Sequence, residues 1–174
     1  MNLTTESIQT WLNTFTTAIE DNKAYLSDLD TPIGDGDHGN NMARGVAAYQ
    51  EAFQKQSPQT ISDTFKVLSM ALISKVGGAS GPLYGSAFMN MTKATKELDE
   101  ITSYEALGDI IAEGLAGIKQ RGKAEFEDKT MVDVWQPVAE ALQKGGLSES
   151  DIDTAEAHTS ELVAKKGRAS YLGE

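Results

Sequence analysis

Between Asp30 and Asn41 the chain reads Asp-Thr-Pro-Ile-Gly-Asp-Gly-Asp-His-Gly-Asn-Asn, which brings Asp30, Asp35, Asp37 and His38 into a stretch too rich in glycine and proline for helix or strand. An Asp is at home in a turn, where its side chain caps nearby backbone N–H groups, but three converging carboxylates repel one another unless cations sit between them. Hard cations meet that need. Mg²⁺ prefers carboxylate and phosphate oxygens and keeps positions open for a substrate's phosphates, so the loop reads as a site for magnesium-dependent phosphate chemistry.

Three familiar motifs nearly match and fail for physical reasons. Gly34-x-Gly36-x-x-Gly39 has the spacing of a dinucleotide-binding turn, but Leu26 to Pro32 reads as the end of a helix rather than a strand, and two Asp between the glycines would repel a pyrophosphate. Counting Asp35 as the first position of a calcium loop puts Asn40 where Gly is needed and Val46 where the bidentate Glu belongs. Gly117 to Ala124 resembles a P-loop, yet Ala124 stands where the metal-binding hydroxyl should be, and the helical run Leu107, Ile110, Ile111, Leu115, Ile118 precedes it.

Other polar groups can complete a phosphate site. In Val76-Gly77-Gly78-Ala79-Ser80-Gly81-Pro82, residues Gly78, Ala79 and Ser80 bring bare backbone N–H groups and one hydroxyl to a helix N-terminus, a natural oxyanion cradle; the bland reading is a C-cap followed by a proline start. Lys129-Thr130-Met131-Val132-Asp133 opens a later helix, where Thr130 or Asp133 serves at least as a cap and Met131 as core. Arg168, in the C-terminal Gly167-Arg-Ala-Ser-Tyr-Leu-Gly-Glu174, is a cation able to reach a phosphate or to sit in a surface ion pair. His158 is assigned to the surface and the Trp11/Trp135 pair to the core, without functional roles.

The elements that must position these residues are helices, since apolar spacing is helical almost throughout and no segment alternates with period two. Ile8, Trp11, Leu12, Phe15, Ile19 and Leu26 form one stripe behind an N-cap at Thr4 or Thr5. Met42, Val46, Tyr49 and Phe53 form a second, whose start near His38 points its N–H groups and positive dipole end into the acidic loop. A third runs through Ile61, Phe65, Leu68 and Leu72 behind Thr60; a fourth follows Pro82 through Leu83, Ala87, Met91 and Ala94; Ser103 caps a fifth. A sixth spans about Val132 to Leu142, and a seventh runs from Ser148 or Ser150 through Ile152, Ala155 and Leu162 to fade at Gly167. Short loops predict antiparallel neighbours.

Length and composition agree with one folded domain over 1–174: 174 residues, 24% charged and 40% hydrophobic. The formal charge of -11, with no offsetting basic run, argues against nucleic acid or an anionic membrane as partner. The chain has no cysteine, its N-terminus shows neither the basic start nor the apolar run of a secretion signal, and no stretch approaches membrane-spanning length, so a cytoplasmic protein is expected.

Four blocks, Ile33-Gly-Asp-Gly-Asp-His-Gly-Asn-Asn-Met42, Gly77-Gly-Ala-Ser-Gly-Pro-Leu-Tyr-Gly85, Asp128-Lys-Thr-Met131 and Gly167 to Glu174, together resemble the nucleotide-binding L subunits of dihydroxyacetone kinases, in that family's order across nearly the whole chain. The resemblance implies an all-α barrel or bundle of about seven to eight antiparallel amphipathic helices with a nucleotide at one end. It implies that two Mg²⁺ ions bridge Asp30, Asp35 and Asp37 to the nucleotide phosphates. His38, Asn41, Ala79 and Ser80 would contact phosphate, Gly122 and Met131 the adenine, and Arg168 the bound nucleotide. The family continues past Gly-Glu with an Asp-Pro-Gly loop and a closing helix, whereas this sequence stops at Glu174: either it is truncated or one wall of the nucleotide site is missing.

Length leaves no room for a fused substrate domain, so the resemblance points to the separate subunit of the phosphoenolpyruvate-driven system. There ADP stays bound as a cofactor, a partner's phosphohistidine charges it to ATP, and the phosphoryl passes to dihydroxyacetone on another subunit. Two alternatives stand beside this: the nucleotide domain of a fatty-acid kinase, whose similar loop carries Thr where His38 stands here, and a non-catalytic nucleotide-sensing adaptor.

Overall fold

Ser and Thr start signals followed by apolar residues at helical spacing produce eight α-helices in the computed structural model, which describes residues 1–172. They are α1 (Thr5–Asp21), α2 (Lys23–Asp30), α3 (His38–Gln56), α4 (Ile61–Lys75), α5 (Ser80–Ala94), α6 (Tyr104–Gly122), α7 (Val132–Gln143) and α8 (Glu149–His158), followed by the 3₁₀ turns Thr159–Glu161 and Arg168–Tyr171. Gly173 and Glu174, the end of the C-terminal motif, lie outside the described residues. Among the described residues the only extended pairing is one antiparallel bridge, Leu3 to Ile101. The fold is the expected all-α bundle, each helix from α2 to α8 packing on its neighbour in sequence and α1 mainly on α3 and α4. No helix among the described residues is long and apolar enough to cross a membrane.

Two stripes end earlier than their apolar spacing suggests. The run from Ile8 to Leu26 is two helices broken at Asn22, whose side-chain amide and backbone N–H both donate to the Ala18 carbonyl (2.8 and 3.1 Å). An Asn that bonds its local backbone in this way competes with helix continuation. The last stripe stops at His158, where the hydroxyls of Thr159 and Ser160 donate back to the carbonyls of Glu156 and Ala157, leaving Leu162 in extended backbone. Trp11 is also not core: it is 41% exposed and meets Phe65 of α4 edge-on, while Trp135 is half-buried against the core. His158 lies at the surface, stacked on Phe126.

The bundle has two different ends. At one, the side chains of Thr4, Thr60, Ser103 and Ser148 each accept from a first-turn N–H of α1, α4, α6 or α8. Contacts tie this end together: the Leu3–Ile101 bridge, Gln9 donating to the Pro58 carbonyl (3.0 Å), and Gln143 donating to Asp109 (2.8 Å). The opposite end gathers the C-termini of α2 and α6 and the N-termini of α3, α5 and α7. The main core, built around Tyr49, Phe65, Leu68, Leu72, Phe88 and Met91, fills the middle. A smaller cluster of Ala87, Leu115, Ile118, Ala124 and Val132 lies between α5, α6 and α7 toward the second end.

Candidate functional site

The acidic loop is wound tightly enough to aim its carboxylates at one another. After Asp30 ends α2, the N–H groups of Ile33 and Gly34 return to the Asp30 carbonyl (3.4 and 2.6 Å), and the Asp37 N–H donates to Asp30 Oδ2 (3.2 Å). Gly34 is required by close approach: a Cβ there would lie 1.8 Å from Asp30 Oδ1. The result is that Asp30, Asp35 and Asp37 each offer a carboxylate oxygen, all within 4.8 Å of one another, with Asp30 half-buried and the other two exposed. A hydrogen bond shared with the Asp37 carboxyl, then its own backbone N–H and the Arg168 charge, hold the Asp35 carboxyl below its ordinary value. Three hard, acceptor-only oxygen donors converging over a backbone that would not tolerate a Cβ fit an oxygen-loving divalent cation such as Mg²⁺.

Beside this cluster two helices begin without caps. Neither N-cap side chain, Asp37 of α3 nor Ala79 of α5, bonds its first turn, though in α3 the Gly39 N–H donates to Ser27 Oγ (3.1 Å). The two starts adjoin, with Ser80 Oγ 3.4 Å from His38 Nδ1. Asn41 is buried; its carboxamide oxygen accepts from Arg44, and its amide lies against Gly77, bracing the two loops. The α3 start can press on α2 because residue 39 is Gly, where a Cβ would lie 1.7 Å from the Lys23 carbonyl oxygen. Two uncapped N-termini side by side make a ready anion site.

Next to the α5 start opens a cleft of about 470 Å³, a size that suits a small ligand. Gly78, Ala79, Gly122, Thr130 and Met131 line it, so five of the residues read from sequence share one wall system. Thr130 Oγ1 accepts from the Val132 N–H (3.2 Å) at the start of α7. Arg168 stands at the other side, its guanidinium 3.7 Å from Asp35 Oδ2, with both side chains largely exposed.

Sequence reasoning missed several lining residues. Leu83 and Ile118 read as helix-stripe core, and Ala124 as a failed P-loop position, yet all three turn apolar surface into the cleft, as Lys166 and Gly167 turn theirs at its edge. It read Asp133 only as a helix cap; the structure shows it fully buried, holding the loop between α6 and α7 by accepting from the N–H groups of Glu127 and Thr130. An Asp inside the apolar run Val132, Val134, Trp135 was the available signal.

The family model described as the DAK2 domain matches residues 32–174. The chain is 51% identical over 164 residues, 94% of its length and 82% of the relative's, to a Listeria innocua protein named PEP-dependent dihydroxyacetone kinase 1, ADP-binding subunit DhaL. It is 46% identical to a Lactococcus lactis protein named PTS-dependent dihydroxyacetone kinase, ADP-binding subunit DhaL, covering 99% of this chain and 86% of that one. To an Escherichia coli protein named PEP-dependent dihydroxyacetone kinase, ADP-binding subunit DhaL, it is 38% identical, covering 100% of this chain and 88% of the relative.

Proposed function

Because this chain belongs to the DAK2-domain family, we propose that it is the ADP-binding subunit of a phosphoenolpyruvate-dependent dihydroxyacetone kinase, working in the cytoplasm as one nucleotide-binding domain over residues 1–174. The observation that carries this reading is the convergence of Asp30, Asp35 and Asp37 within 4.8 Å beside the N-termini of α3 and α5, whose N-cap residues make no side-chain bond to the first turn. His38 rather than Thr after Asp37, and the names of the relatives, favour dihydroxyacetone over a fatty acid as the final acceptor.

In this account Asp30, Asp35 and Asp37 hold two Mg²⁺ ions, and His38, Asn41, Gly78, Ala79 and Ser80 surround the phosphates. Gly122, Thr130 and Met131 take the adenine, and Arg168 adds a positive charge over the acidic loop. When bound, Mg-ADP supplies the phosphoryl relay, accepting from a phosphohistidine on a donor subunit and giving to a hydroxyl of dihydroxyacetone held on another subunit. The chain's own part is positioning and charge neutralisation, which phosphoryl transfer needs more than a protein nucleophile. The first-turn N–H groups of α3 and α5 are fixed before any ligand arrives, so they favour phosphate oxygens without reorganising. Leu83, Ile118 and Met131, which line the cleft, would keep water from one face of the base.

Acid release of small molecules from the purified protein, followed by incubation of untreated protein with a phosphohistidine donor, tests the proposal. ADP in the extract and its conversion to ATP by the donor are expected. ADP that stays unphosphorylated would favour a nucleotide-sensing adaptor, and an extract without nucleotide would count against the whole reading.

A further inference from the structure

The base side of the cleft is formed by the loop between α6 and α7, and this loop is conformationally expensive. Glu127 (φ 68) and Lys129 (φ 58) flank Asp128 in the left-handed region that non-glycine residues seldom occupy. Asp133 holds part of the loop, and Asp128 holds the rest. Asp128 Oδ2 accepts from the Glu125 N–H (2.9 Å), its carbonyl accepts from the Lys165 N–H (3.0 Å), and its Oδ1 lies 3.7 Å from Lys165 Nζ. One residue on, Lys129 Nζ donates to the Leu162 carbonyl (2.8 Å).

These bonds tie down a segment with little other attachment. Beyond the 3₁₀ turn at Glu161, residues 163, 165, 166, 167 and 168 are exposed, and only Ala164 is buried. Yet this segment carries Lys166 and Gly167 to the edge of the cleft and Arg168 across to Asp35. It therefore spans from the base side of the site to the acidic loop, fixed at its near end by Asp128 and Lys129.

We propose that Asp128 is a positioning residue, which latches residues 162–168 across the mouth of the cleft and so sets how long a bound nucleotide stays. It rests on the nucleotide reading of the cleft. Asp128 does not line the cleft itself. The Glu125 N–H, then the Lys165 and Lys166 charges, hold its carboxyl below the ordinary value, so the latch is charged at neutral pH. A segment held by so few bonds opens easily when one is removed.

Stopped-flow chase of Mg²⁺ and N-methylanthraniloyl-ADP from the full chain tests the latch. Asp128→Ala should speed dissociation about tenfold, since it removes a charged acceptor and leaves the Glu125 N–H unpaired. Lys165→Met should speed it about threefold, as expected for a half-exposed ion pair, and Lys165→Arg should restore the wild-type rate. Asp128→Asn keeps an acceptor for Glu125 but loses the charge, so adding Lys165→Met to it should change little further. Association should not slow in the Asp128 variants. Trypsin should cut near residues 165–168 of the nucleotide-saturated Asp128→Ala protein faster than in wild type. Unchanged dissociation in Lys165→Met, where the replaced side chain is 60% exposed and not needed for folding, would overturn the latch even if Asp128→Ala failed to fold. Additive effects of Asp128→Asn and Lys165→Met would overturn it too. A wild-type protein that binds no Mg-nucleotide would instead overturn the underlying reading, and the latch with it.

Discussion

At one end of the bundle the N-cap side chains of Thr4, Thr60, Ser103 and Ser148 bond the first turns of their helices, while at the other the N-cap residues of α3 and α5, Asp37 and Ala79, make no such bond. Every helix start has the same orphan N–H groups, and a side-chain cap stabilises one by about 1 kcal/mol. The chain takes that stabilisation where helices only turn around and forgoes it where three carboxylates gather. The comparison supports the proposal that a ligand completes the second end: clustered negative charge and helix N-termini lie side by side there, and a metal-phosphate unit would satisfy both.

Ligand removal should separate the ends most. Mg-ADP at about a thousand times its dissociation constant adds roughly 4 kcal/mol of stability. Chelation followed by dialysis should therefore lower the melting temperature by several degrees or more in calorimetry. An unchanged melting point would erase the distinction between the ends.

A smaller effect is expected from the acidic loop itself. Asp37→Ala or Asp30→Ala should weaken Mg-ADP binding on the order of a hundredfold in titration calorimetry, the scale of losing a charge-assisted contact. The ligand-free protein should melt no lower than wild type, since a repulsive carboxylate is gone. At the capped end the signature reverses. Ser103→Ala should cost about 1 kcal/mol in denaturant unfolding and leave nucleotide affinity untouched.

The smallest effect is pH dependence at a cap. Asp151, bonded by the Ser148 hydroxyl and N–H, has its carboxyl held below the ordinary value of 3.8. A group depressed on folding stabilises above its unfolded value and loses that contribution as pH falls through its folded one. Asp151→Asn should thus narrow the gap to wild type as unfolding is measured at pH values falling below about 3.9. A gap that widens toward acid would show that the cap does not hold the charged form.

Much of this was legible in the residues because helical stripes and loop chemistry are local signals. Asp30, Asp35 and Asp37 sit within eight residues, and Thr60 and Ser103 announce their helices. The breaks at Asn22 and His158 were less visible, since the apolar spacing of Leu26 and Leu162 continues past them while polar side chains turn back onto the backbone. Trp11 reads as core by type, and only the tertiary packing decides that it meets Phe65 by its edge and stays 41% exposed. The pairing of Asp128 with Lys165 links residues far apart in sequence, so no spacing rule reveals it.

The central claim is that the uncapped end is where the nucleotide binds, and amide hydrogen exchange with and without Mg-ADP tests it most directly. Removing the ligand should speed exchange first at residues 30–41 and 77–81, while Ile8 to Ile19 of α1 stay protected in both states. Uniform acceleration along the chain, or no change at those two loops, would contradict the account.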